Sequence, residues 1–276
     1  MVARAGAPMT HDEVPMSYRF FAPIALGLLL ASPGPAAAQE DELPYYVVLT
    51  GGAVFEAEGQ QSGRLREDFA VPLADAVLTD GAAYRFRTDY EIGGFVSLAA
   101  GKTTPYGPYR SEFELSYSRS DVDRHRSFRA LGQSLDLADS GILTASTSPT
   151  ETPLGSVLRD AQGSLETYAI MINGYREFAV PREGVLPYLG AGLGAVRAEV
   201  DYSPSGEPLI DDGVWIAGYQ LMAGIDVETG GGSMLRAGLR YRGGQTIEVD
   251  TEAPLTSELE IDYGQTMLEI GWRWAL

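Results

Sequence analysis

The stretch DVDRHRSFR, residues 121–129, holds the pairing in this chain that comes nearest to a nucleophile with its base: His125 and Ser127. A serine hydroxyl becomes a nucleophile only with a base in hydrogen-bond reach and a third group that orients the base. No surrounding pattern supplies that third group; Arg124, Arg126 and Arg129 crowd the pair instead. Guanidiniums bind phosphate through paired, charge-assisted bonds, so these three could meet an anionic headgroup; a solvated basic loop is the plainer reading. Carboxylates form a second group: Glu199, Asp201, Glu207, Asp211 and Asp212 in one stretch, and Glu248, Asp250, Glu252, Glu258, Glu260 and Asp262 in another, with no basic residue inside either. Such oxygens can hold divalent cations, yet no Asp-x-Asp-x-Asp-Gly loop is present, and cation-attracting solvated loops are the expectation. The sequence offers no Gly-rich phosphate cradle, no metal-ligand spacing and no Ser/His/Asp set, so no catalytic residue, metal or cofactor is expected.

A third group is defined by phase. Glu112, Glu114, Arg236, Arg240, Glu269 and Arg273 all fall on the polar side of segments whose hydrophobic period is two. In YRSEFELSYS, Tyr109, Ser111, Phe113, Leu115 and Tyr117 share one face while Arg110, Glu112, Glu114, Ser116 and Ser118 share the other. VWIAGYQLMAGIDV, MLRAGLRYR and PYLGAGLGA repeat the alternation, with Gly, Gln, Asp and Arg opposite Trp, Tyr, Leu, Ile and Ala. As helices these runs would carry charge all round, so strands are expected. Eight segments are read, at about 45–56, 85–100, 108–120, 165–179, 187–202, 213–228, 234–248 and 259–276. Long polar links (57–84, 121–164, 203–212, 249–258) alternate with the short turns GKTTPYG, PREGV and TGGGS.

Long connections at one end and short ones at the other describe an all-β, eight-stranded antiparallel up-and-down transmembrane β-barrel, with a lipid-facing apolar exterior and a polar lumen. A soluble sandwich or lipocalin-like barrel would turn the apolar face inward. The aromatics near segment ends (Tyr109, Tyr117, Trp215, Trp272, Trp274) favour the inside-out version, because interface girdles need them there. A further hairpin within 121–164 would raise the count to ten.

The N-terminal part is read as a leader. Met16 to Arg19 is a short basic region, FFAPIALGLLLA is an apolar run too short to span a membrane, and Ala36-Ala37-Ala38 is a small-residue cleavage pattern. Residues 1–38 are therefore a predicted signal peptide cut after Ala38, with 1–15 as an over-long start, leaving 39–276 as the barrel domain. The chain has no cysteine, which argues against a disulfide-stapled secreted scaffold. Its net charge of −18, unaltered by loss of the leader, disfavours nucleic acid as a partner.

SEFELSYSRSDVD (111–123), YAIMINGYREF (168–178), LPYLGAGLGAVRAEVDY (186–202), YQLMAGIDV (219–227) and LRAGLRYRG (235–243) resemble, in that order, the OmpA-like and opacity-type small outer-membrane barrels. The resemblance implies a Gram-negative outer membrane, partners among its lipid and lipopolysaccharide, whose phosphates Arg124, Arg126 and Arg129 could meet at the outer rim, and a role as surface antigen, adhesin or small porin, with host or environmental surface ligands. It also implies handling by periplasmic chaperones and the barrel-insertion machinery, whose signal would be the alternating end MLEIGWRWAL, with Leu276 in place of the usual Phe. The peptidoglycan-binding domain of OmpA itself has no counterpart in the sequence, so cell-wall tethering is not carried over. His125 and Ser127 are similar to the His/Ser pair of barrel enzymes that deacylate lipid A, but without matching sequence around them. The inward charges have two readings: a filled, rigid interior of paired ions, or a gate whose rearranged pairs pass ions or small solutes.

Overall fold

In the computed structural model the described residues are 45–56, 59–71, 76–143, 148–159, 163–202, 210–251 and 256–276. The expected signal peptide, Glu207 and Glu252 lie outside them. The strands are β1 (Tyr45–Glu56), β2 (Gly59–Leu65), β3 (Phe69–Val71), β4 (Ala76–Leu78), β5 (Ala83–Tyr90), β6 (Gly93–Thr103), β7 (Tyr109–Ala130), β8 (Gln133–Ser134), β9 (Gly163–Glu177), β10 (Val185–Tyr202), β11 (Ile210–Gly230), β12 (Ser233–Gly244), β13 (Ile247–Thr251), β14 (Ser257–Ile261) and β15 (Gly264–Ala275), with a 3-10 turn (Ser140–Leu143) and a short α-helix α1 (Leu154–Arg159).

Eight strands close a ring, each antiparallel to its neighbours: β1, β6, β7, β9, β10, β11, β12, β15 and back to β1. The closing seam runs from Tyr46 opposite Ala275 to Glu56 opposite Gln265. Closure leaves no row of unpaired N–H and C=O groups facing hydrocarbon, where each would cost several kcal/mol.

Three of the eight sequence segments run past the ring and break. The 85–100 segment divides into β5 and β6 around Glu91 and Ile92, 234–248 into β12 and β13, and 259–276 into β14 and β15. The detached pieces build a second sheet in the order β13, β14, β2, β5 and the upper half of β7. The expected long loops are therefore substantially ordered, and the residues after 120 extend β7 instead of adding a pair of strands to the ring. Period-two alternation runs through both pieces of 85–100 and 234–248, which hides their boundaries; in 259–276 the apolar phase passes from Leu259, Ile261 and Tyr263 to Leu268, Ile270 and Trp272.

What changes along the strands is the medium outside them. On β10, Leu189, Ala191, Leu193 and Ala195 face outward; two residues further on the same face carries Arg197, Glu199 and Asp201. Inside, small Gly190, Gly192 and Gly194 give way to buried Val196, Ala198, Val200 and Tyr202. The lower barrel is thus apolar outside and polar inside, while the upper part, the head, has the ordinary polarity of a protein in water. The head core gathers Leu65, Tyr84, Val122, Leu165, Val200, Tyr202, Ile247, Leu259 and Ile261, with Leu154 of α1 fully buried against them.

The lower exterior exposes Leu49, Val96, Leu98, Phe113, Leu115, Ile170, Ile172, Leu193, Leu221, Leu239, Leu268 and Ile270 around its circumference. About ten residues per strand, at ~3.3 Å rise and ~40° tilt, give this belt a height of roughly 25 Å, which matches an outer-membrane hydrocarbon layer. An apolar patch of that extent facing water would be an aggregation surface.

Candidate functional site

Inside the belt the inward side chains form two charge-balanced tiers. In the lower tier Arg110, Arg236 and Arg273 meet Glu112, Glu177 and Asp226. Glu112 accepts from Arg110 and from Arg236 (3.2 Å) and from the Tyr46 hydroxyl (3.1 Å). Asp226 takes Arg236 at 3.0 Å and Arg273 at 3.1 Å, and Glu177 takes Arg110 and Arg273, each at 3.0 Å. The Arg110 guanidinium also lies 3.8 Å from the centre of the Tyr175 ring.

In the upper tier Arg240 and Arg242 meet Glu114 and Glu269. Arg240 bridges Glu114 and Glu269 (2.8 Å), while Arg242 reaches Glu114 at 3.3 Å and donates to Ser116 at 2.9 Å. Asn173 donates to Glu114 (2.9 Å), Gln220 to Asn173 (2.7 Å), and the Tyr188 hydroxyl to Glu269 (2.9 Å). The glycines of PYLGAGLGA make room for this layer. A Cβ on Gly192 would stand 2.0 Å from the Asn173 amide oxygen, and one on Gly190 2.5 Å from the Tyr175 ring.

Arg236, Arg240 and Glu114 are each only 1% exposed, and Arg242 not at all. These buried side chains fill the interior between the tiers, each within ion-pair distance of an opposite charge. A buried ion is tolerated only with its counter-ion and hydrogen bonds in place, so the network is also rigid. All six lumen residues singled out from the sequence lie in it. Arg110, Glu177, Asp226 and Arg242 complete it. Strand phase put Arg110, Asp226 and Arg242 on the same face, but only register puts them opposite particular partners.

The aromatic positions fall at two levels. Tyr117, Tyr168 and Trp215 lie along one row of the register at the upper edge of the belt, with Tyr117 and Tyr168 rings 5.0 Å apart. Tyr109, Trp272, Trp274 and exposed Leu276 lie at the lower edge, where the Leu276 amide bonds to the Tyr45 carbonyl at 2.8 Å.

The basic segment sits in the head. His125 is buried, its Nδ1 2.7 Å from the Thr88 hydroxyl and its ring edge-on to Phe86 and Tyr202. Ser127 is exposed on the outer surface, so the structure does not bring the two together. Burial, only partly offset by the charge of Asp89, pushes the imidazole down to about 4. Arg124 and Arg126 share Asp89, each at 2.9 Å, while Arg129 stands exposed on the same face. Burial opposes ionisation of Asp89, but the bonds from Arg124 and Arg126 outweigh it and hold the carboxyl below its ordinary range.

The acidic runs, free of bases in sequence, gain one from elsewhere: Arg66 meets Asp250 at 3.0 Å and Glu258 at 3.2 Å. Glu199 pairs with Arg197 at 2.8 Å. Among the described residues no three carboxylates or histidines converge on a point that could hold a metal ion.

A ring of eight antiparallel strands, an apolar belt and a polar, ion-paired interior define a transmembrane β-barrel. No protein-family model and no curated sequence matches the chain. Among solved structures it is similar to the outer-membrane protein OprG from Pseudomonas aeruginosa, at 11% identity and a TM-score of 0.49, covering 85% of this chain and 98% of that one. A major outer-membrane protein from Thermus thermophilus gives 10% identity, a TM-score of 0.45 and coverage of 84% and 99%. Neisserial surface protein A gives 14%, 0.41, 84% and 97%. The fold class rests on the strand ring and the belt, which stand independently of these likenesses.

Proposed function

We propose that this chain is a Gram-negative outer-membrane protein that works through the surface it presents and not through its lumen. The observation that carries the reading is a paired, largely buried ion network capped by a folded head with its own apolar core. A conducting pore needs a hydrated path, and the Arg240–Glu114–Arg242 layer would have to be dismantled to make one. The resemblance to OmpA-like and opacity-type barrels supports the same structural, surface-antigen or adhesin-like role. It also supports an assembly route through periplasmic chaperones and the barrel-insertion machinery. In a planar bilayer the refolded full chain is expected to give no stepwise conductance, while surface labelling of intact cells reaches the head. Regular conductance steps from the unaltered protein would overturn the reading in favour of a pore.

A further inference from the structure

The outer wall of the head carries a ladder of arginines that the fold goes out of its way to assemble. Across the β5–β7 pairing Arg85 stands directly opposite Arg129, and Arg87 directly opposite Arg126. Like charges directly opposed across a ladder are destabilising. Among the described residues no carboxylate comes within ion-pair distance of Arg85, Arg87 or Arg129, whereas Arg124 and Arg126 share Asp89. The grouping is not the accident of one alternating strand. The β5–β7 register slips twice, once between Arg85 and Arg87 and once between Asp89 and Tyr90. Each slip re-aims β7, so that Val122, His125 and Ala130 stay buried while Arg124, Arg126 and Arg129 all look outward. The bulge at Ser127 holds that residue at φ 59°, a left-handed conformation that a non-glycine residue adopts at a cost.

β7 runs unbroken from the barrel wall into the head, so this face continues upward from the lipid-facing surface of Phe113 and Leu115 and looks sideways, over the membrane. Counting from Tyr117 in the upper girdle and allowing for the two bulges, Arg126 and Arg129 stand roughly 20–25 Å above headgroup level, at ~3.3 Å per residue and ~40° tilt. Lipid A phosphates lie at the girdle, well below. Between them and the ladder the wall bears Asp121, Asp123, the Arg119–Glu166 pair and Arg124, which Asp89 holds. Phosphates at the height of the ladder belong to the core sugars of lipopolysaccharide.

We propose that Arg85, Arg87, Arg126 and Arg129 form a binding face for the phosphorylated core oligosaccharide of a neighbouring lipopolysaccharide molecule. Rows about 5 Å apart across the strands and about 7 Å apart along them let two guanidiniums grip one phosphate while the next row takes another. The inference rests on the outer-membrane reading; it sets aside Arg124 of the expected contact, which Asp89 holds, and adds Arg85 and Arg87 of β5.

The test uses the refolded full chain in detergent micelles. It is titrated with lipopolysaccharide bearing a phosphorylated core, with the same lipid truncated to its innermost sugars, and with dextran sulfate. The complete lipopolysaccharide is expected to bind more tightly than the truncated one, with a steep salt dependence. The triple change Arg85→Gln, Arg87→Gln, Arg129→Gln is expected to weaken it about tenfold or more. The triple lysine variant, which keeps charge but loses the planar fork, should fall between. All three positions are exposed, and retention of the heat-modifiable gel shift reports that each variant is folded. Equal binding of truncated and complete lipopolysaccharide, or an unaffected glutamine variant, would overturn the proposal. Dextran sulfate bound in preference to lipopolysaccharide would overturn it too, by making the ligand a soluble polyanion. If the chain fails to enter lipid bilayers at all, the outer-membrane reading falls as well; if it inserts yet ignores lipopolysaccharide, this inference falls alone.

Discussion

Glu114→Ala is the sharpest perturbation of the lumen's ion network. Its carboxylate serves Arg240, Arg242 (3.3 Å), Asn173 (2.9 Å) and Gln220 (3.4 Å). Without it Arg240 keeps Glu269 at 2.8 Å, but Arg242 loses its carboxylate within ion-pair distance and keeps neutral bonds to Ser116 and Gln220. A cation stranded with no exposure to solvent costs roughly 3–5 kcal/mol, because its desolvation is no longer offset by an opposite charge. Replacing both partners, as Glu114→Met with Arg242→Met, removes the stranded charge. It should cost no more than about 1–2 kcal/mol, since buried pairs often break even against packed apolar groups. Urea titrations in lipid vesicles, followed by fluorescence of the three tryptophans and by gel shift, would measure both. A single variant within about 1 kcal/mol of the parent, or a double as unstable as the single, would refute an interior held by charge balance.

Three further outcomes follow from the same geometry. Leu193→Arg puts a charge on the lipid-facing belt and should lower stability by roughly 2–4 kcal/mol in vesicles. Arg197→Leu, two rungs above on the same face, should change it by less than about 1 kcal/mol; equal effects would deny a belt edge between them. His125 is neutral in the closed head, whereas the opened head takes up a proton as pH falls below its ordinary value of 6.5. Head stability should therefore be flat above that value and fall between 6.5 and about 4, by at most roughly 3 kcal/mol. Limited proteolysis across that range should show the loss in the parent and not in His125→Gln. Deleting Trp274 to Leu276 removes the lowest pairings of the β1–β15 seam and the girdle there. It should block membrane insertion, and a normal heat-modifiable band in the outer-membrane fraction would count against that.

Much of this architecture is legible in period-two patterning, because a strand with different media on its two faces must alternate. Phe113 and Leu115 against Glu112 and Glu114 already separate lipid from lumen, and the short turns against long links orient the strands. The same rule hid the head. Val196, Ala198 and Val200 alternate with Arg197 and Glu199 as regularly as the barrel residues below them, so the pattern continues while its sense reverses. Alternation reports that two faces differ, and not which of them is wet.

The sequence by itself determined that the chain is built of strands and which face of each lower strand meets lipid, since these depend on neighbours two residues apart; that the ring closes at eight and not ten, and that three segments break, came from the structure. Only the tertiary structure decided which charges meet. Arg242 finds Glu114, and Arg273 finds Glu177, across gaps of more than ninety residues, through the stagger of a closed ring. The arginine ladder needed the fold for the same reason. Arg85 and Arg87 become one surface with Arg126 and Arg129 only through cross-strand register and two bulges, which are properties of pairing between strands and leave no periodic trace in either strand alone.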